Sequence, residues 1–510
     1  MNMAIETELK LHISPEHLAR LKRHPFLRSL STARSVTRKL HSVYYDTPNL
    51  YLHKHAMALR LRRVGQQWLQ TLKGGGAVQA GMHLRNEWET VVPDAALDFS
   101  ALESSAATHL PKHVRQELQA VFVTDFSRTS RMVNFSGASI ELSMDSGKVQ
   151  AGRKMHTISE MELELKAGEP LQLFRLALVL LGIVPLQIEV ISKAEYGYRM
   201  WMHAPAEVSR AIVPDVKKHN TVAEVLQGMI WASLLPLQAN AAGAASKLDD
   251  EYLHQIRVAL RRLRVVLSLA ASVHEDTELV ALRNDVVALD LALGQKRDWD
   301  VFVTQTLEPL RQQLEIGPIL RSSERERSGQ HVRVRQILQS QDLQRLLLRF
   351  GAWMLGAYWR DGFWSEEPAV QSPGLLHFAA QALSKRSKQV RKRYAQLEPH
   401  ADPGFHPEPG SVHIFRIACK KLRYSVELFE PLYEDKNIRR YLQALNRMQD
   451  ILGRLNDIAV ARRFLAQLGI GKQKEASMLI RGWIEHDYVQ HMTELHKSWQ
   501  KLSAHDEFWR

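Results

Sequence analysis

The sequence predicts a multidomain chain: an N-terminal α+β unit built on a closed antiparallel β-barrel, then an all-α duplicated helical bundle. Three observations carry this. Acids and bases alternate with apolar residues in four short stretches of the first 200 residues. Helical periodicity takes over from about residue 219. One basic helical motif occurs twice, its histidines 159 residues apart (His254 and His413).

The first stretch is IETELK, where Glu6, Glu8 and Lys10 alternate with Thr7 and Leu9. Side chains two apart on a strand point the same way, so two carboxylates and an ammonium share a face. Taken singly, this is the pattern of a solvated strand. It recurs, however, in Arg60 and Arg62, in Arg85, Glu87 and Glu89, and in Glu160, Glu162, Glu164 and Lys166, with Leu61, Trp88, Met161, Leu163 and Leu165 between. Charges of both signs on one face and hydrophobes on the other predict an inverted barrel, charged inside and apolar under covering helices. Helical spacing is predicted around Glu16–Arg23, Pro111–Val121 and Leu171–Leu181, and turns at Asp46–Asn49, Gly74–Gly76, Ser136-Gly137 and Asp145–Gly147.

Pro205 and Pro214 bracket the point where this pattern stops, so the expected limits are 1–203, a linker 204–218, and a helical domain 219–510. Breaks at Glu366–Gly374 and at the proline cluster Pro399–Gly410 divide the helical domain into halves of about 219–370 and 374–510. At 510 residues the chain exceeds what one core usually organises. Its 68 Lys+Arg against 55 Asp+Glu, a net +13, favours polyanionic partners without choosing among them. One cysteine, Cys419, excludes an intrachain disulfide and fits a reducing compartment. No secretory h-region is read near the start, and the longest apolar run, Leu176–Val184, falls short of the ~20 residues of a membrane span. The expected location is cytoplasmic, with no membrane partner.

The repeat aligns HQIRVALRRLR (254–264) with HIFRIACKKLR (413–423) without a gap, and the same offset carries Leu293-Gly294 onto Leu452-Gly453 and Asp298 onto Asp457. At 100° per residue, His254, Arg257, Arg261 and Arg264 fall within an arc of about 80°. Ile256, Leu260, Leu263 and Leu267 take the opposite side. His413, Arg416, Lys420 and Arg423 repeat the basic stripe, and Phe415, Cys419, Leu422 and Val426 the apolar one. Neither eleven-residue stretch holds an acid, so two facing rows of cations suit a long polyanion. Zinc is disfavoured, since no second ligand sits at i+3 or i+4 of either histidine. Asp298 and Asp457 are read as capping or Arg-pairing residues in loops after the Leu-Gly pairs. Lys385, Arg386, Lys388, Arg391, Lys392 and Arg393 form a further basic helix that extends the groove or is plain surface.

These two motifs resemble the halves of a CHAD domain, over roughly residues 219–510. The resemblance implies binding of inorganic polyphosphate by His254, Arg257, Arg261, Arg264, His413, Arg416, Lys420 and Arg423. The first 200 residues resemble a CYTH domain of the triphosphate tunnel metalloenzymes, which implies an eight-stranded tunnel. The matching pieces run in order: Glu6, Glu8 and Lys10; Tyr45-Asp46-Thr47; Arg60 and Arg62; Lys73; Arg85 and Glu87; Arg128; Glu141 and Asp145; Glu160, Glu162 and Glu164; and Lys193. Where the family often carries a further basic residue after the Ser-Lys, this chain has Glu195 and Tyr196.

The chemistry asks for these residue types. A triphosphate held in a tunnel needs fixed cations, and guanidinium forks suit two oxygens at once. Lys10, Arg60, Arg62, Lys73, Arg85, Arg128 and Lys193 supply them, with Glu87 beside them. Carboxylates tolerate phosphate when a hard divalent ion bridges them, so Mg2+ or Mn2+ is expected on Glu6, Glu8 and Glu162, with Glu160, Glu164 and Asp145 as second choices. The reaction implied is hydrolysis of the terminal phosphoanhydride of inorganic tripolyphosphate. Alternatives on the same tunnel are thiamine triphosphate hydrolysis or cyclisation of ATP; a non-catalytic polyphosphate-binding scaffold is the alternative of another class. Nucleic acid is disfavoured because the cationic rows lack interleaved aromatics.

Overall fold

The computed structural model describes residues 4–510 apart from 80, 101–109, 205–206, 211–213, 215, 248–249, 357, 360–373, 398–408, 434–435 and 469–473. The expected breaks at Glu366–Gly374 and Pro399–Gly410 therefore lie largely outside the described residues, as does part of the linker. The chain divides into two compact units, one of 1–210, 234–243 and 338–362, the other of 211–233, 244–337 and 363–510.

In the first unit eight antiparallel strands close on themselves: β1 (Ala4–His12), β2 (Val36–Asp46), β3 (Met57–Val64), β4 (Gln67–Gln79), β5 (Met82–Val92), β6 (Gln119–Phe135), β7 (Ala138–Ala151) and β8 (Lys154–Ala167). Their order is β5-β4-β3-β2-β6-β7-β8-β1, and β1 pairs back onto β5 with Glu6 opposite Arg85. A two-residue strand, β9 (Gln187–Ile188), pairs with the end of β1. Closure leaves no open edge, so every strand can present its charged face inward.

The described helices along this N-terminal stretch are α1 (Pro15–Lys22), α2 (Pro25–Leu30), α3 (Tyr51–Lys54), α4 (Lys112–Gln116), α5 (Leu171–Leu181) and α6 (Lys193–Trp201). The outward residues Leu9, Leu11, Met161 and Leu163 are fully buried, and α1 and α5 pack against this side of the barrel. Leu59, Leu72 and Trp88 are covered together with Leu52 of α3 and Val114 of α4.

Three expectations are corrected. Gly74–Gly76 and Asp145–Gly147 do not end strands. The first triplet lies inside β4, where the register with β5 slips between Gly74 and Ala77, and the second runs through β7. At both places glycine serves close backbone approach. A Cβ on Gly76 would sit 1.7 Å from the Leu84 carbonyl oxygen, and one on Gly147 2.3 Å from that of Asp125. The helix expected over Pro111–Val121 stops at Gln116, because Val121 and Phe122 are taken into β6 against β2. The hairpin at Ser136-Gly137 forms as expected, with both residues at positive φ.

The remaining helices are α7 (Val222–Lys247), α8 (Asp250–Val273), α9 (Thr277–Val301), α10 (Gly317–Leu338), α11 (Gln341–Met354), α12 (Leu375–Ala395), α13 (Pro409–Phe429), α14 (Lys436–Gln467) and α15 (Lys474–Ser503). In the second unit α8 packs on α9 and α13, and α13 packs on α12 and α14. The apolar stripes do what their spacing predicts: Ile256, Leu260, Leu263 and Leu267 on α8, and Phe415, Cys419, Leu422 and Val426 on α13, are buried. The Leu-Gly pairs, however, are not turns. Gly294 lies within α9 and Gly453 within α14, so Asp298 and Asp457 are helical residues rather than loop caps. Glycine costs a helix about 1 kcal/mol relative to alanine. At position 294 a Cβ would meet the Arg257 guanidinium at 2.8 Å, so the missing side chain makes room for a cation.

Helix α11 belongs to the barrel's unit, where it packs on α5 and β9. Gln341 and Gln344 accept hydrogen bonds from the Leu186 and Ile188 amides at 3.1 and 2.9 Å. A Cβ on Gly351 would lie 2.1 Å from the ring of the fully buried Phe174 on α5. Gly351→Ala is therefore expected to destabilise this unit by about 1–3 kcal/mol, read as a lower Tm in thermal unfolding. An unchanged Tm would mean that α11 does not dock on α5 at that distance.

Candidate functional site

The inward faces of the strands enclose a cavity of about 570 Å³ lined by eleven Lys or Arg side chains and seven Glu. Of the residues expected there, Lys10, Arg60, Arg62, Lys73, Arg85, Glu87, Arg128, Lys193, Glu6, Glu8, Glu162 and Glu164 line it. Asp145 and Glu160 do not. They are buried behind Lys193, whose ammonium lies 2.7 Å from Asp145, 2.9 Å from Glu162 and in contact with Glu160. Lys193 is the first residue of α6, capped by Ser192, so the start of that helix carries the cation into the barrel.

Charges of opposite sign interlock around Glu162. Lys10 donates to it at 2.7 Å and lies 3.1 Å from Glu8. Arg128 holds Asp145 with two hydrogen bonds of 2.8 and 2.7 Å and also donates to Glu162. At another part of the wall Lys73 bridges Glu6 at 2.5 Å and Glu87 at 3.3 Å, and Arg60 lies 3.5 Å from Glu87. Two of the expected guanidiniums have no carboxylate partner among the described residues. Arg62 donates only to the Ser42 hydroxyl, at 3.0 Å, and Arg85 makes no hydrogen bond or ion pair with any of them. Burial, with Arg60 nearby, lowers Arg62 to about 10. An underneutralised cation in a half-dry cavity favours an incoming anion.

Oxygen atoms of Asp145, Glu160 and Glu162 lie within 4.8 Å of one another, close enough to share a cation. The Lys193 ammonium already touches all three, and that contact accounts for their approach. Glu6, Glu8 and Glu162 are among the carboxylates that line the open cavity, and an all-oxygen set of this kind fits a hard divalent ion. Sequence reasoning missed Arg34, Arg38 and Arg131, which also line the cavity. Arg38 stands opposite Arg128 across β2 and β6, a cross-strand relation that no single-strand alternation reveals.

The helical unit holds a second cavity, of about 540 Å³, between α8, α9, α13 and α14. Arg257, Arg261, Arg264, His413, Arg416 and Lys420 line it; His254 and Arg423 do not. His254 is exposed on α8, and Arg423 is drawn aside to Asn446 at 3.1 Å and Glu427 at 3.3 Å. Lys421, Arg463, Asp290 and Asp298 line the cavity as well. Asp290 takes Arg264 at 2.5 Å, and Asp298 lies 3.8 Å from Arg463. Burial, reinforced by Arg416, Arg261 and Arg257, lowers Lys420 to about 7. Of the basic run on α12, Arg386 donates to Ser268 and Arg391 to Glu507 at 3.3 Å, and none of its residues lines the cavity.

Two carboxyls in the barrel titrate in opposite directions. Burial raises Glu160 to about 7 despite Lys193, whereas Glu8, which burial alone would also raise, is held at about 2 by Lys10. A raised carboxyl adds stability as pH falls from 7 toward 4.5; a depressed one loses its contribution as pH falls from 4.5 toward 2. The barrel's thermal unfolding is expected to follow that rise and fall. Glu160→Gln should remove the rise and Glu8→Gln should shrink the fall; profiles unchanged in both variants would contradict the assignment.

Two family models match the chain in order, a CYTH domain over residues 4–198 and a CHAD domain over residues 228–466. Among curated proteins it is 34% identical over 196 residues to a Haemophilus influenzae protein named inorganic triphosphatase, a match covering 38% of this chain and 55% of that relative. Among solved structures it is similar to the CHAD domain from the plant Ricinus communis, with 30% identity, 59% of this chain, 97% of that one and a TM-score of 0.49. It is also similar to a Hippeastrum protein described as having a dominant triphosphatase activity, with 20% identity, 38% of this chain, 96% of that one and a TM-score of 0.29. Both TM-scores lie below 0.5, so family membership rests on the sequence models instead. By those, the chain belongs to the CYTH family in its N-terminal part and to the CHAD family in its helical part.

Proposed function

We propose that the chain is an inorganic triphosphatase. Its barrel domain (1–203) hydrolyses the terminal phosphoanhydride of tripolyphosphate to phosphate and pyrophosphate, and its helical domain (219–510, after a linker 204–218) binds long-chain polyphosphate. The observation that carries the first half is that Arg62 and Arg85, neither with a carboxylate partner among the described residues, line one cavity with Glu6, Glu8 and Glu162. The name of the Haemophilus influenzae relative supports the reaction; this chain spans 55% of that relative's length. Catalysis of phosphoryl transfer rests mainly on positioning and charge neutralisation. Arg62 and Arg85 take phosphate oxygens directly. Lys10, Lys73, Arg60 and Arg128 are held in place by their carboxylate partners, so they meet the substrate without reorganising. Glu6, Glu8 and Glu162 would hold Mg2+ or Mn2+, which when bound would neutralise phosphate oxygens and activate water. Lys193 orients Glu162, with Asp145 and Glu160 as its counter-charges. The cytoplasm is the proposed location, in keeping with a lone, buried Cys419.

Phosphate release from tripolyphosphate, ATP and thiamine triphosphate, with magnesium or manganese, tests this. Tripolyphosphate is expected to be turned over fastest, and Glu6→Gln to lower kcat by about 100-fold with the Tm little changed. Equal, metal-independent rates for both proteins would end the enzyme reading.

In the helical domain the convergence of Arg257, Arg261, Arg416 and Lys420 on one cavity supports polyphosphate binding. Arg257→Ala combined with Arg416→Ala is expected to weaken binding of long-chain polyphosphate and flatten its salt dependence. Lys420 is half-neutral near pH 7, and an anion beside it raises its pKa, so binding should take up protons and weaken as pH climbs from 7 to 9. Titration calorimetry in buffers of different ionisation enthalpy measures this, and Lys420→Arg should abolish the uptake.

A further inference from the structure

A second chamber, of about 310 Å³, adjoins the barrel cavity. The two share Ala58, Lys73, Arg85, Ser192 and Ala194, so one cationic wall serves both. Lys73 is engaged by Glu6 and Glu87, but Arg85 is half-buried and has no ion pair among the described residues. Beyond Arg85 the wall is the strap Gly74–Gly76. Gly75 and Gly76 have φ of +66° and +94°, and a Cβ on Gly76 would collide with the Leu84 carbonyl. The strap thus presents peptide groups and no side chains. On the facing side α6 begins at Ser192, with the positive end of its dipole toward the chamber. The lining acid, Glu195, is ion-paired with Arg199 at 2.8 Å and hydrogen-bonded with His53 at 3.1 Å. Tyr198 is buried, and His53 packs on it with ring centroids 4.5 Å apart.

We propose that this chamber is a subsite for condensed-phosphate residues beyond the third, so that a linear chain longer than triphosphate passes Arg85 with its distal end along the glycine strap. The proposal rests on the triphosphatase reading for its substrate class and extends it to substrate length. A phosphate chain is uniform along its length, so a cation shared by two chambers can hold consecutive units of one ligand.

Val78 of β4 lines the chamber and not the barrel cavity. Val78→Glu puts a carboxylate on the proposed path, and Val78→Gln is the neutral control of equal size. The full chain is assayed on tripolyphosphate and on linear tetraphosphate, with thermal unfolding of each variant as the check on folding. Wild type is expected to turn over tetraphosphate with a KM within about tenfold of that for tripolyphosphate; Val78→Glu should raise only the tetraphosphate KM, by about tenfold or more. Val78→Gln should leave both nearly unchanged. Failure of wild type to use tetraphosphate, or an equal shift for both substrates in Val78→Glu, would overturn the subsite while leaving the triphosphatase reading intact. Hydrolysis of neither phosphate would instead remove that reading. The chamber is then read from calorimetric binding of the two phosphates, where the same selective loss in Val78→Glu is required.

Discussion

The barrel depends on the mutual neutralisation of buried charges. An isolated carboxylate or ammonium taken out of water costs several kcal/mol even after relaxation, and a dozen of them together would unfold the domain. The cost is met by interlocking: Lys10 serves Glu8 and Glu162, Arg128 serves Asp145 and Glu162, and Lys193 serves Asp145, Glu160 and Glu162. The partners come from β1, β6, β7, β8 and the first turn of α6, so the lattice also sets the register of the barrel. A one-residue slip of β1 would turn Leu9 and Leu11 into this lattice and Glu8 and Lys10 out of it.

The same lattice divides its members into two groups. Cations saturated by carboxylates are structural scaffolding as well as, in the proposed function, anion ligands. Arg62 and Arg85 are saturated by none among the described residues, and they mark where charge is missing. The helical unit shows a milder form of this economy. Its cavity gathers cations from two helices related by the repeat, and Asp290 and Asp298 offset part of their repulsion. Burial, together with the repulsion that remains from Arg416, Arg261 and Arg257, brings Lys420 down from its ordinary 10.5 to about 7.

Alternation of charged and apolar residues makes the barrel's inward face readable, because a strand's period of two survives any tertiary context. The paired basic helices are readable for the same reason, with a period of 3.6 and a gapless repeat. Glycine misleads. Gly74–Gly76 and Asp145–Gly147 look like turns locally, yet what they serve is the close passage of another strand, which a single chain segment does not encode. Gly294 likewise reads as a helix end until the Arg257 guanidinium is seen in the space it leaves. Asp145 and Glu160 read as metal ligands of second rank; their engagement by Lys193 joins β7 and β8 to a helix some thirty residues further on, a relation local spacing cannot carry. Arg38 escapes notice because what places it is its cross-strand neighbour Arg128, and Arg34 because it precedes β2, outside any alternation.

Helix α11 has a bearing on how such a chain can be divided. It lies more than a hundred residues past the last barrel strand, within the span matched by the CHAD model, yet it supplies the cover for α5 and caps the amides of Leu186 and Ile188. A fragment cut after residue 210 would keep every side chain that lines the barrel cavity and still present a naked seam around Phe174, prone to self-association. Recombination that swaps the rear module for an unrelated one therefore has to replace that lid, which ties the inheritance of the two modules together.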